Sequence, residues 1–280
     1  MTPAGSSSSR GCHLARPSDE RSRPGRPSRV VVLLAALTSC VQPALRRTAG
    51  REPLPVRADA RTGASSSATR HLAVPGFLPS LVVVPSGVDS RPLIVAAHGA
   101  GGTPEWECDY WTRLTLGQNF VLCLRGTRIN PQAGYYFRDH HALDAELTAA
   151  LAAAHREFSR ILPGSGMYVG FSQGASMGSL IVGKHANELP YVVLIEGFER
   201  WNVALGRAFG QRGGKAVLFA CGSRECAVAA DVSTRALLQA GPRARAAYAQ
   251  GAGHTPSGQV EALVASNLAW ILAGDAAWSR

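Results

Sequence analysis

From Leu81 onward the chain alternates short, almost unbroken apolar runs with longer stretches whose apolar residues recur every three or four positions. The short runs are LVVVP (81–85), LIVAAH (93–98), FVLCLRG (120–126), MYVGF (167–171), YVVLIEG (191–197) and KAVLFACG (215–222), with a weaker one, ARAAYAQG (244–251). The helical stretches are 140–162, 173–186, 227–240 and 256–273. A strand that is apolar on both faces must be covered on both. Strands that alternate with helices are joined by crossovers. The pattern therefore predicts an α/β fold, a mostly parallel sheet between two helical layers, as one domain over 70–280. Two early runs, near 70–74 and 81–84, fit an antiparallel hairpin at one edge.

The segment ahead of this domain has another texture. The whole chain carries a formal net charge of +10, which on its face suggests a nucleic-acid partner. Residues 1–70, however, hold twelve arginines against four acids, and 71–280 hold seventeen basic and fifteen acidic groups. The domain is nearly neutral and shows no basic stripe, which argues against nucleic-acid binding. Arg21, Arg23, Arg26 and Arg29 precede the eight-residue apolar run VVVLLAAL (30–37), too short to span a bilayer but suited to a secretory h-region. The letters LTSC (37–40) that end it are similar to a bacterial lipobox, which makes Cys40 a candidate for lipidation. Residues 1–40 are thus expected to be a leader. Residues 41–69, rich in Arg, Ala, Ser and Pro, are expected to be a flexible tether. On this reading the protein is exported, to the periplasm or as an outer-membrane lipoprotein, and meets a membrane only through its lipidated N-terminus. Four cysteines remain in the domain, Cys108, Cys123, Cys221 and Cys226, enough for two disulfides in an oxidising compartment.

Three glycine-rich turns fall where strands end. GFSQG (170–174) lies between the strand MYVGF and the stretch beginning at Gln173. A serine on so sharp a strand-to-helix turn takes a strained backbone conformation and needs small residues two positions either side. Gly170 and Gly174 meet that need, so Ser172 is the candidate nucleophile. HGAGG (98–102) follows the strand LIVAAH, and the amides of Ala100 and Gln173 are expected to form an oxyanion hole. His98 is expected to brace this loop rather than to act as a base. GAGH (251–254) puts His254 on a loop after the last strand, where a general base belongs in the chain order Ser, acid, His. Thr255 and Pro256 read as the cap and first turn of the helix that follows. For the acid, Glu225 in GSRE fits best, with Asp231 and Glu196 as alternatives. Tyr135, Tyr136 and Phe137 are expected on a loop near the substrate. Asp139, His140 and His141 beside them include metal-ligand types, but no metal and no cofactor is expected.

Together GFSQGA, HGAGG and GAGH resemble the α/β-hydrolase superfamily over about residues 75–275. The closest likeness is to the small, cap-less carboxylesterase, lysophospholipase and acyl-thioesterase group, with a looser one to dienelactone-hydrolase and polyester-depolymerase-like esterases. The resemblance implies a serine hydrolase that cleaves a small-molecule or polymeric ester through Ser172, His254 and an acid. The acid position reads Glu where that pattern usually has Asp. Only about twenty residues separate YVVLIEG from KAVLFACG, which leaves no room for a large lid. A peptidase or amidase with the same triad, or a non-catalytic surface lipoprotein that keeps the fold, are the alternative readings.

Overall fold

The computed structural model describes residues 67–130 and 132–279. Cys40, the leader and nearly all of the expected tether lie outside them. The elements, in chain order, are β1 (Ala68–Leu72), β2 (Ser80–Val84), β3 (Leu93–Ala97), α1 (Pro104–Leu114), β4 (Phe120–Cys123), β5 (Thr127–Arg128), β6 (Tyr135–Tyr136) and α2 (His140–Glu157). Then follow β7 (Met167–Phe171), α3 (Gln173–Ile181), β8 (Tyr191–Ile195), α4 (Val203–Gln211), β9 (Ala216–Cys221), α5 (Arg224–Ala240), β10 (Arg243–Tyr248) and α6 (Gln259–Ile271).

Eight strands form one sheet in the order β1-β2-β4-β3-β7-β8-β9-β10, and β5 pairs with β6 apart from it. β2 runs antiparallel to both its neighbours, so the expected edge hairpin is β1–β2. Every pair from β4 to β10 is parallel. The unbroken apolar runs are explained by cover on both faces. Leu93, Val95 and Ala97 of β3 face a core built with α2, α3, α4 and α5, whereas Ile94 and Ala96 face one built with α1 and α6. Val192 and Leu194 of β8 likewise turn to the first face and Val193 and Ile195 to the second. Each of these side chains is almost fully buried, worth about 1.5–3 kcal/mol per large aliphatic.

Four helices, α1, α2, α4 and α6, correct the sequence reading. α1 and α4 lie outside the expected helical stretches. α1 is rich in charged and aromatic residues, which dilutes its apolar period, yet Thr103 caps it by accepting from the Trp106 amide at 3.2 Å, with Pro104 in its first turn. Asn202 caps α4 in the same way, from the Leu205 amide at 3.0 Å. α2 stops at Glu157 instead of 162, because the chain then pairs with Arg91: the Leu162 amide donates to the Arg91 carbonyl at 2.9 Å. α6 begins at Gln259, so Thr255 is not its cap; the Thr255 hydroxyl instead accepts from the Ser257 amide at 3.2 Å in the preceding turn. Between β8 and β9 stands only the nine-residue α4, and no cap domain covers the sheet edge among the described residues. None of the described helices is long and apolar enough to cross a membrane.

Candidate active site

At the C-terminal ends of the parallel strands four loops converge. β7 turns into α3 through Ser172, whose φ of 50° and ψ of −110° fall outside the conformations that L-residues favour. Its amide donates to the Ile195 carbonyl at 2.9 Å, and its own carbonyl accepts the Ser176 amide at 2.8 Å, which fixes the turn at both ends. The flanking glycines are required by contact. A Cβ on Gly170 would lie 2.7 Å from the Ala175 amide, and one on Gly174 would fall on the Ala97 carbonyl. Close approach of α3 to β3 thus brings the serine turn against the HGAGG loop, and the Gly174 amide donates to the His98 carbonyl at 3.1 Å.

The HGAGG loop is braced from outside. Gly101 donates to the Tyr135 carbonyl and Tyr135 to the Gly102 carbonyl, both at 2.8 Å. The Phe137 amide donates to the Gln173 side-chain oxygen at 2.8 Å, which ties the same segment to the serine turn. The His98 ring nitrogens lie on the Gly99 and Arg125 carbonyls, at 2.8 and 2.9 Å, and its ring stacks on Phe137. Burial lowers its pKa, partly offset by those two carbonyls. His98 is a brace in this geometry. The amides of Ala100 and Gln173 make no hydrogen bond within the described residues.

His254 joins from the loop between β10 and α6, where Gly251 and Gly253 both have positive φ, 78° and 77°. Its Nε2 lies 2.8 Å from the Ser172 hydroxyl oxygen and its Nδ1 3.1 Å from Oε2 of Glu196. A neutral imidazole bridging these two carries its proton on Nδ1 and accepts from the serine through Nε2. The His254 side chain is 56% exposed and the Glu196 side chain 1%, so an open histidine rests on a buried acid.

The carboxylate that meets His254 is thus Glu196, one of the two alternatives, and not the preferred Glu225. Glu225, the expected partner, sits exposed in the first turn of α5, and Asp231 is exposed farther along that helix; neither meets His254. Glu196 follows the last residue of β8, and its φ of 53° turns the side chain upward into the site. Gly197 has no space for a Cβ, which would fall on the Ser172 carbonyl. The Glu196 carboxylate is fully engaged. Oε1 accepts the amides of Gly222 and Ser223, the second at 2.9 Å, and Oε2 accepts the Ser223 hydroxyl at 2.9 Å. The sequence signal was Glu-Gly directly after a buried strand, where Glu225 looked better only because it followed the next strand.

Tyr135 and Phe137 are 8% and 2% exposed and support the loops from behind. Phe137 lines a separate cavity of about 490 Å³ with Phe77 and Leu78. Tyr136 is half-buried in the short β6 strand. The space beside the serine turn is a cavity of about 310 Å³, whose lining includes Gly99, Ala100, Trp106, Glu107, Phe171 and Pro256. Glu107 is buried there, with Oε1 lacking a hydrogen-bond partner among the described residues, and burial pushes its pKa up to about 8. Another cavity, about 640 Å³, opens among Tyr191, Lys215 and Arg243 at the opposite ends of the strands and touches none of this chemistry.

Cys108 is bonded to Cys123 and Cys221 to Cys226, the pairing of near neighbours. Among the described residues, Glu196, Cys221 and Cys226 gather potential metal-ligand atoms within 4.8 Å of one another. With the sulfurs bonded together and the carboxylate occupied by hydrogen bonds, that group offers no thiolate to an ion. Asp139 instead caps α2, accepting the Ala142 amide at 2.8 Å. That bond holds its carboxyl below the usual aspartate range.

No family model matches the chain, and no curated relative matches it. Its fold is nonetheless shared with solved structures. TT1662 from Thermus thermophilus superposes with a TM-score of 0.59 at 19% identity, over 75% of this chain and 99% of that one. An esterase of Pyrobaculum calidifontis gives 0.53 at 15% identity, over 74% and 84%. EstE1, a carboxylesterase cloned from a metagenomic library, gives 0.53 at 16% identity, over 78% and 90%. At such identities the likeness is one of architecture: the chain has the α/β-hydrolase fold.

Proposed function

We propose that the protein is a serine hydrolase that cleaves carboxylic esters through an acyl-enzyme. The observation that carries this reading is the hydrogen-bonded line from the Ser172 hydroxyl through His254 to the buried Glu196, beside two amides without a partner among the described residues. His254 takes the Ser172 proton at Nε2 as Oγ attacks the acyl carbonyl, and Glu196 stabilises the imidazolium that forms. The Ala100 and Gln173 amides receive the charge that develops on the carbonyl oxygen. The imidazolium then protonates the departing alcohol. A water that gives its proton to His254 attacks the acyl group and frees Ser172.

The open His254 and the absence of a cap domain among the described residues favour small or extended polymeric esters over long-chain fats. The two disulfides favour an oxidising compartment, in line with export to the periplasm or attachment through Cys40. The test is labelling by a fluorophosphonate probe, with Ser172→Ala and His254→Ala alongside. Labelling of the wild type alone is the expected result. A wild type that takes no label refutes the hydrolase reading, and faster turnover of p-nitroanilides than of p-nitrophenyl esters would make it an amidase.

A further inference from the structure

The Glu196 carboxylate is held from outside its own strand. Apart from the bond to His254, its hydrogen bonds among the described residues come from Gly222 and Ser223: two amides on Oε1 and one hydroxyl on Oε2. Both residues lie inside the loop that the Cys221–Cys226 bridge closes, a separation of five residues between the end of β9 and the first turn of α5. The sulfurs lie within 4.8 Å of the carboxylate. Gly222 is in turn pressed against the histidine loop. Its carbonyl accepts the Gly253 amide at 3.0 Å, and a Cβ on it would fall on the Gly253 carbonyl. One short clamped loop thus sets the position of the acid and of the loop carrying His254.

Resting on the hydrolase reading, we infer that Ser223 and the Cys221–Cys226 bridge are positioning groups for Glu196, and that a dithiol which opens this bridge slows the enzyme. The two bridges differ in access. Cys108, Cys123 and Cys221 are 0–1% exposed, whereas Cys226 is half-buried and is the sulfur that an external thiolate reaches. That thiolate attacks Sγ of Cys226, and the old bond breaks with its electron pair on Sγ of Cys221. The reagent's second thiolate then displaces Cys226, closing the reagent's own disulfide. The bridge gains two electrons, the dithiol loses two, and the two cysteine sulfurs take up the two protons that the reagent gives up. Two thiols cannot occupy the space of a bonded pair, so the loop shifts and Oε2 moves from Nδ1 of His254.

The experiment titrates the protein with dithiothreitol. Alkylation and mass spectrometry report which cysteines are reduced, and ester turnover is followed in parallel. Cys221 and Cys226 should be alkylated first, and kcat should fall about 10- to 100-fold, the scale of an ångström's misplacement. KM should change little, and reoxidation should restore the rate. Ser223→Ala should lose about tenfold in kcat, with Ser223→Thr recovering part of it. In a Glu196→Gln background reduction should have no further effect, an outcome that general loosening of the fold would not give. A substrate-free readout stands beside these: the low-field proton resonance of His254 Nδ1–H, identified by its loss in His254→Ala, should vanish on reduction. Unchanged turnover and an unchanged resonance with Cys221 and Cys226 fully alkylated would overturn the inference. Loss of the resonance in a protein with no hydrolase activity would uphold the positioning role and refute the hydrolase reading instead.

Discussion

Replacing Glu196 by glutamine isolates what the buried acid does, because shape is kept while one oxygen becomes an NH2 group. The side chain must still face two fixed backbone donors, the amides of Gly222 and Ser223. Only the amide oxygen can accept them, so the NH2 group is directed to the position of Oε2, 3.1 Å from His254 Nδ1. An NH2 group there donates, and the imidazole must accept at Nδ1 and carry its proton on Nε2. That nitrogen, 2.8 Å from the Ser172 hydroxyl, then cannot take the serine's proton. A wrong tautomer in this arrangement costs about 10⁴ in kcat, equivalent to about 5.5 kcal/mol of barrier. Glu225→Gln, on the exposed face of α5, should stay within about threefold of wild type, since a surface substitution away from special contacts alters stability by about 0.5 kcal/mol or less. The assay is single-substrate turnover of a p-nitrophenyl ester, with circular dichroism to check that each variant is folded. A hundredfold loss in Glu225→Gln with Glu196→Gln nearly intact would refute the reasoning from geometry.

Two further outcomes follow from buried and strained groups. Glu107 has a folded pKa of about 8 against an ordinary value of 4.5. The folded state therefore binds the extra proton, and the stability this contributes is whole below pH 4.5 and lost as pH rises through 8. The loss amounts to at most about 5 kcal/mol, at about 1.4 kcal/mol per pH unit. Urea unfolding from pH 5 to 9 should show this fall in the wild type and a flat profile in Glu107→Gln; a flat wild-type profile contradicts it. Ser172→Gly should abolish turnover yet raise the melting temperature, since glycine accepts φ of 50° without the roughly 1–3 kcal/mol of backbone strain a side chain imposes there. A lower melting temperature in that variant would mean that the turn is not strained.

The architecture was legible because burial on two faces leaves a local mark. Runs such as VVLI (192–195) and AVLFAC (216–221) have no polar face to offer water, and the strands β2, β3, β4 and β7 to β9 lie where such runs are. The turns GFSQG, HGAGG and GAGH were legible for a related reason: in the first two, glycines meet contacts that leave no room for a side chain, and in the third Gly251 and Gly253 take positive φ. α1 was not, because its apolar face is diluted by charge, and α4 was not, because nine residues that include Gly206 and Gly210 are too few to show a helical period. The acid was the least legible of all. Glu196 and Glu225 each follow a strand end, and no property of either residue's neighbours along the chain says which carboxylate reaches His254. That choice rests on Gly222 and Ser223 donating across from β9, on φ of 53° at Glu196, and on a histidine 58 residues away. Sequence by itself determined the layered sheet and singled out Ser172 and His254 as candidates, because each is written in periodicity or in glycine-rich turns. Tertiary structure alone decided which carboxylate meets His254, because a hydrogen bond between strand ends depends on their order in the sheet, which no local pattern encodes.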